Sequence, residues 1–247
     1  MGQHGKHRTL VRLAVLLLAL WPAAGHSACR QALILGLDIS GSVSATEYRL
    51  QMDGLAGALL DKDVRQAFLA IPDAPVDLQV FEWSGPQTQN TIIPWTSVTD
   101  DVTLANIAAT LTSTIRRGNQ VSTALGTAMT FAANALQTKS HCWRRTIDLS
   151  GDGTSNVGPR PRDIKATLPP DITLNAIVIA APAPQQATTR NGEIAMLTNY
   201  FRSEVIRGPD AFVEAALGFD DFQAAMTRKL LKELETLAVG AAAQTTP

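Results

Sequence analysis

The chain of 247 residues is 45% hydrophobic and 17% charged, and its 21 Lys and Arg almost balance its 22 Asp and Glu, for a formal net charge of −1. That length supplies one sizeable core and is short for two. With no basic excess, nucleic acid and anionic membrane surfaces are poor partners.

The amino terminus reads as a secretory signal over residues 1–28. Lys6, Arg8 and Arg12 precede an apolar run from Leu13 to Trp21 and then small residues. The run is too short to span a bilayer comfortably. Cleavage is expected after Ala28, with Gly25 as the alternative, giving a periplasmic or secreted protein that is not membrane-inserted. Cys29 would then stand first, as the modified cysteine of a lipoprotein does. His26, however, occupies the place where a lipobox resembles Leu, so lipidation is not expected.

The first predicted strand is Gln31 to Asp38, an apolar run without alternation, which is the pattern of a strand buried on both faces. It ends in Asp38, Ser40 and Ser42, which an extended segment turns to one side. Ser44 and Glu47 have the spacing of a capping box, opening a helix through Tyr48, Met52, Leu55 and Leu59. A second helical patch runs through Val64, Phe68 and Leu69 until Pro72 and Pro75. Val76 to Trp83 alternates apolar and polar residues and predicts a strand with one face less buried, and Asn90 to Pro94 predicts a short edge strand. Thr99 is the expected cap of a helix through Leu104, Ile107 and Leu111, and another helix starts near Ser122. Arg145 to Ser150 is the next strand, followed by the loop GDGTSNVG, a short helix over Arg162 to Leu168 and a buried strand over Thr173 to Ala180. The segment APAPQQATT is a loop, Leu197 to Phe201 closes a helix, and Ser203 to Arg207 and Ala211 to Ala215 are strand-like. Phe219 to Leu237 has the spacing of an amphipathic helix, the domain closes at 239, and residues 240–247 form a tail.

Strands alternating with helices define an α/β fold, a doubly wound, mainly parallel six-stranded sheet with helices on both faces. In the strand order 3-2-1-4-5-6, the strands ending at Asp38 and Ser150 flank the switch point where such sheets bind ligands. Asp38 and Asp152 then meet there. Cys29 and Cys142 lie at similar distances before their strands, so parallel pairing puts both at the opposite edge, within disulfide reach. A Cys29–Cys142 disulfide is expected.

Asp38, Ser40, Ser42 and Asp152 offer only oxygen, which suits a hard cation. Thr123, before the fourth helix, is the candidate for one more donor; neighbouring Ser122 and a plain capping role are the alternatives. Turn formation and helix capping are the bland reading of the two serines.

Asp38-Ile-Ser40-Gly-Ser42, Thr123 and Asp152 resemble the metal-ion-dependent adhesion site of von Willebrand factor A domains. FEWSGP, IPWT, RRTIDLSGDGTSN and VIRGPDAFV, in that order, resemble the exported bacterial family called domain of unknown function 1194. The resemblance implies Mg²⁺ or Mn²⁺ held by Ser40, Ser42 and Thr123, with Asp38 and Asp152 acting largely through waters. It further implies an open coordination position for an acidic residue of a protein partner. The sequence departs from the family at two places: GNQVSTAL lacks the glycine pair that accompanies the threonine, and Glu204 stands where relatives carry Cys. The second departure accords with pairing Cys29 to Cys142.

The expected role is therefore metal-dependent protein binding and not catalysis. A structural or assembly domain with an idle metal site is the alternative, and a Mg²⁺-dependent hydrolase a weaker one. A serine hydrolase needs a base beside its nucleophile, but His4 and His7 leave with the signal, His26 is at its cleavage point and His141 belongs to the other sheet edge. Zinc catalysis lacks His and Cys ligands on the crevice side. Trp83 and Trp95 are candidates either for a partner surface at the rim or for packing against loops.

Overall fold

The apolar run ending at Asp38 forms β1 (Gln31–Asp38), buried along its whole length, in a computed structural model that describes residues 28–117, 121–180 and 187–244. The other strands are β2 (Val76–Trp83), β3 (Gln89–Val98), β4 (Arg144–Gly151), β5 (Ile172–Ile179) and β6 (Val213–Ala216). They form one sheet in the order β3-β2-β1-β4-β5-β6. All neighbours are parallel except β3, which runs antiparallel to β2 at the edge. β1 lies in the middle because successive side chains alternate faces and both faces carry apolar residues. Leu33, Leu35 and Leu37 point into one core, and Ala32 and Ile34 into the other.

Helices α1 (Ala45–Leu60), α2 (Lys62–Leu69), α3 (Asp101–Ser113) and α7 (Phe222–Gln244) cover the first face. Helices α4 (Leu125–Leu136) and α6 (Ala187–Glu204) cover the second, with the short α5 (Pro161–Thr167) beside α4 and α6. The capping box of Ser44 and Glu47 starts α1. No described helix is long and apolar enough to cross a membrane.

Several elements differ from expectation. β2 is buried on both faces, because its polar side chains find partners inside: Asp77 with Lys139 and Ser97, Gln79 with Thr91, and Glu82 with Tyr48 and Asn90. β3 is longer than Asn90 to Pro94; its register shifts against Leu78, Val80 and Phe81, and an edge strand with such irregularities tolerates Pro94. Asp100, not Thr99, caps α3, accepting from the Thr103 amide at 2.7 Å. α4 starts at Leu125, three residues after Ser122, without a side-chain cap. Ser203 and Glu204 close α6 instead of starting a strand, and Arg207 alone bridges to Leu174. α7 runs to Gln244, past 239, where Ala241, Ala242 and Ala243 favour helix. Residues 1–27 of the expected signal over 1–28, residues 181–186 of the APAPQQATT loop and residues 245–247 of the tail lie outside the described residues, whereas Ala187 to Thr189, expected as the end of that loop, begin α6.

At the edge where the strands begin, Cys29 and Cys142 are joined by a disulfide, with Cα atoms 4.5 Å apart. The Trp143 amide donates to the Cys29 carbonyl at 2.9 Å, extending the β1–β4 pairing to this point. Asp77 and His141 lie close by.

Candidate metal centre

The cluster lies where β1 and β4 end, since their parallel register carries Gly36 opposite Leu149 and leaves Asp38 facing the turn that holds Asp152. The β1 exit is fixed by a closed ring of hydrogen bonds. The Asp38 amide donates to Ser150 Oγ at 3.0 Å, Ser150 Oγ donates to Gln51 Oε1 at 2.7 Å, and Gln51 Nε2 donates to the Asp38 carbonyl at 2.9 Å. Beyond it, the Ser40 amide donates to Asp38 Oδ1 at 2.8 Å and aims the carboxylate. Ser40 Oγ and Ser42 Oγ are 3.3 Å apart, and Ser42 Oγ donates to Asp152 Oδ1 at 2.7 Å. Four of the five expected residues thus converge from two loops more than a hundred positions apart in sequence.

Thr123 is buried, and its backbone is tied to the loop after Asp152. Its amide donates to Asn156 Oδ1 at 2.9 Å, and its carbonyl accepts from the Asn156 amide at 3.0 Å and from Ser155 Oγ at 3.2 Å. The segment before α4 is thereby anchored to the Asp152 side of the cluster.

Electrostatics single out the two carboxylates. Asp38 is 1% exposed, and its Oδ2 is buried with no hydrogen-bond partner. Burial above all, then repulsion from Asp152, pushes its carboxyl up to about 7, against the Ser40 amide that favours the anion. Burial likewise raises Asp152, as does Glu47, while the Ser42 hydroxyl opposes the rise. Two acidic groups brought together in a low-dielectric site without a counter-charge are unfavourable, and a cation relieves the conflict. The donor set is all oxygen with two carboxyls, so a hard divalent cation fits these residues.

Other residues that shape the site carry little sequence signal. Arg116 donates to the carbonyls of Val43 at 2.6 Å, Ile39 at 2.7 Å and Ser40 at 3.2 Å, clamping the loop that presents the serines. Gly41 is required by close approach, because a Cβ there would meet the Val121 backbone at 2.8 Å. Gln51 is a polar residue on the buried face of α1, a sign in the sequence that the helical spacing alone does not tie to the site. Arg116, in a loop, gave no such sign.

Among the described residues His141 is the only histidine, and it sits beside Cys142 at the far edge of the sheet. Trp83 is fully buried, and Trp95 is half-buried with the Lys139 ammonium 5.1 Å from its ring centre. Packing, not a rim surface, is what the structure gives these two.

A parallel sheet in this order with one antiparallel edge, helices on both faces and an Asp-x-Ser-x-Ser loop at the switch point has the architecture of a von Willebrand factor A domain. Solved structures bear out the fold. The von Willebrand factor type A protein from Catenulispora acidiphila superposes with a TM-score of 0.57 at 12% identity, over 85% of this chain and 43% of that one. Proximal thread matrix protein 1 from the mussel byssus, with a zinc-occupied MIDAS motif, gives 0.53 at 21%, over 85% and 48%. The pilus adhesin SpaC from Lactobacillus rhamnosus GG gives 0.55 at 12%, over 86% and 31%. This chain therefore spans less than half the length of each. Residues 28–238 match the family described as a protein of unknown function (DUF1194), and the chain belongs to that family. No curated protein matches it by sequence.

Proposed function

We propose that the protein is a metal-dependent binding domain, exported to the periplasm or beyond after loss of residues 1–28, that captures an acidic side chain of another protein. Ser40, Ser42 and Thr123 would hold Mg²⁺, or Mn²⁺, with Asp38 and Asp152 balancing its charge largely through water. The observation that carries this reading is the meeting of Asp38, Ser40, Ser42 and Asp152 around a buried, unpartnered carboxylate oxygen. When bound, the ion supplies an electrophilic position for a partner carboxylate. The chain's own groups orient it: Ser150 and Gln51 set the Asp38 backbone, the Ser40 amide sets its side chain, and Arg116 holds the loop. The zinc-occupied motif of the byssus protein and the adhesin role of SpaC support a divalent ion and protein binding.

The test is calorimetric titration of Mg²⁺ and Mn²⁺ into chelator-stripped protein of residues 29–247, with Asp38→Ala alongside. Saturable binding that the variant loses is expected. Binding that survives in Asp38→Ala refutes the site.

A further inference from the structure

Part of the surface beside the oxygen cluster is apolar. Of the eight large apolar side chains that stand exposed among the described residues, Ile115, Val121, Val157 and Leu217 follow elements that end at the edge where the parallel strands end, and Met196 lies on α6. The topology puts them there. Ile115 follows α3, which returns toward that edge after the antiparallel β3; Val121 has its backbone against Gly41; Val157 lies in the loop after Asp152; Leu217 follows β6. Scattered exposed apolar residues need no explanation; those next to the oxygen cluster, Val121 against Gly41 and Val157 in the loop after Asp152, are the ones that bear on a ligand there.

A second observation gives this surface a shape. A cavity of about 420 Å³ opens between the end of β5 and α6, walled by Ile179, Ala180, Ile194, Met196 and Leu197. Asp152, with Gly153 and Thr154, forms another part of its wall. Asp152 therefore belongs both to the oxygen cluster, through its bond from Ser42, and to the apolar cavity. A ligand held at the cluster by a carboxylate has its neighbouring group at the cavity mouth.

We propose that the partner segment carries a large apolar residue directly beside its acidic one, with the carboxylate at the metal and the apolar side chain in the cavity formed by β5 and α6. This rests on the metal-dependent reading above and adds to it a class of ligand. A free organic acid leaves the cavity empty, and a polysaccharide carboxylate brings hydroxyls against the apolar side chains of Ile179, Ile194, Met196 and Leu197. Glu193, exposed at the cavity, disfavours a second acidic residue following the apolar one.

The experiment uses protein of residues 29–247 and three probes: acetyl-Gly-Asp-Leu-Gly-amide, acetyl-Gly-Asp-Gly-Gly-amide and acetyl-Gly-Asn-Leu-Gly-amide, each titrated by NMR in Mg²⁺ and in chelator. The Asp-Leu peptide is expected to bind about tenfold tighter than Asp-Gly, the gain from burying one leucine side chain. The Asn-Leu peptide and the chelator both abolish binding. Met196→Asn, a neutral change at a helix position 68% exposed, removes the leucine preference. Equal, Mg²⁺-dependent binding of Asp-Leu and Asp-Gly overturns the cavity proposal and leaves carboxylate capture standing. Binding of no peptide, or binding indifferent to Mg²⁺, overturns both. Mg²⁺-dependent dimerisation that Met196→Asn abolishes, without a peptide preference, gives the surface to a second copy of the chain and overturns the proposal.

Discussion

Asp38 carries its charge at the expense of the fold around it. Its carboxyl is buried and repelled by Asp152, so in chelator at pH above about 7 Asp38→Asn, which removes that charge and keeps the shape, should stabilise the protein by about 1–4 kcal/mol, up to the cost of a carboxyl raised to about 7. The same variant should lose Mg²⁺ binding. Thermal unfolding in chelator reads the first effect, calorimetry the second, and a destabilised Asp38→Asn would contradict this account. Arg116 acts one layer out. Its three carbonyl contacts hold the serine loop, and Arg116→Ala should weaken Mg²⁺ binding by about 10- to 100-fold, as loss of an outer-shell partner does. Partial recovery in Arg116→Lys would separate positioning from folding. The oxygen residues were legible because Asp, Ser and Gly interrupt an apolar strand end abruptly. Arg116 was not, because a loop arginine gives no clue to which carbonyls it meets, and the approach of Asp38 to Asp152 follows only from the order of the strands in the sheet.

At the scale of elements, α7 is fixed to the sheet by buried charge. Lys229 Nζ lies 2.8 Å from Asp148 Oδ2 on β4 and 2.6 Å from Glu233 Oε1, which also accepts from Asn175 on β5 at 2.7 Å. Two carboxyls share one ammonium, and Lys229→Met, by leaving both without a cation, should cost about 3–5 kcal/mol. Burial first, and then Glu233, push the Asp148 carboxyl up to about 7 against the pull of Lys229. An unfolded Asp titrates near 3.9, about three units lower, so the folded state holds this proton more tightly. Its contribution to stability therefore falls as pH rises from about 4 to about 7 and is level above that. Denaturant unfolding at pH about 5 and about 7.5 should show the fall, and Asp148→Asn should reduce it. An unchanged difference would refute the assignment. This triad also shows why element prediction succeeded unevenly. The unbroken apolar run of β1 declared a central strand, whereas polar residues on β2 and α7 suggested exposed faces that tertiary partners had in fact buried. Ser203 to Arg207 looked extended by composition, but its first residues continue the hydrogen-bonded turns of α6.

For the molecule as a whole, the disulfide and the oxygen cluster sit at opposite ends of the same two strands. The disulfide closes a separation of 113 residues, for which chain entropy gives about 5 kcal/mol. Cys29→Ser with Cys142→Ser should lower the unfolding temperature accordingly while Mg²⁺ affinity measured on the folded protein stays within about threefold, because the ring through Ser150 and Gln51 is independent of that edge. In the intact protein, Mg²⁺ at a hundred times its dissociation constant should add about 2.7 kcal/mol of stability, and chelator should remove it.

The placement of the disulfide has a mechanical consequence. A pull applied at the Asp38 end of β1 runs lengthwise down the strand toward Cys29, so it loads the hydrogen bonds to β2 and β4 in parallel, as shear, and does not peel them one at a time. At the far end the load passes through the Cys29–Cys142 bond into β4, so under tension the two strands that present the oxygen cluster bear force together and cannot slide past one another.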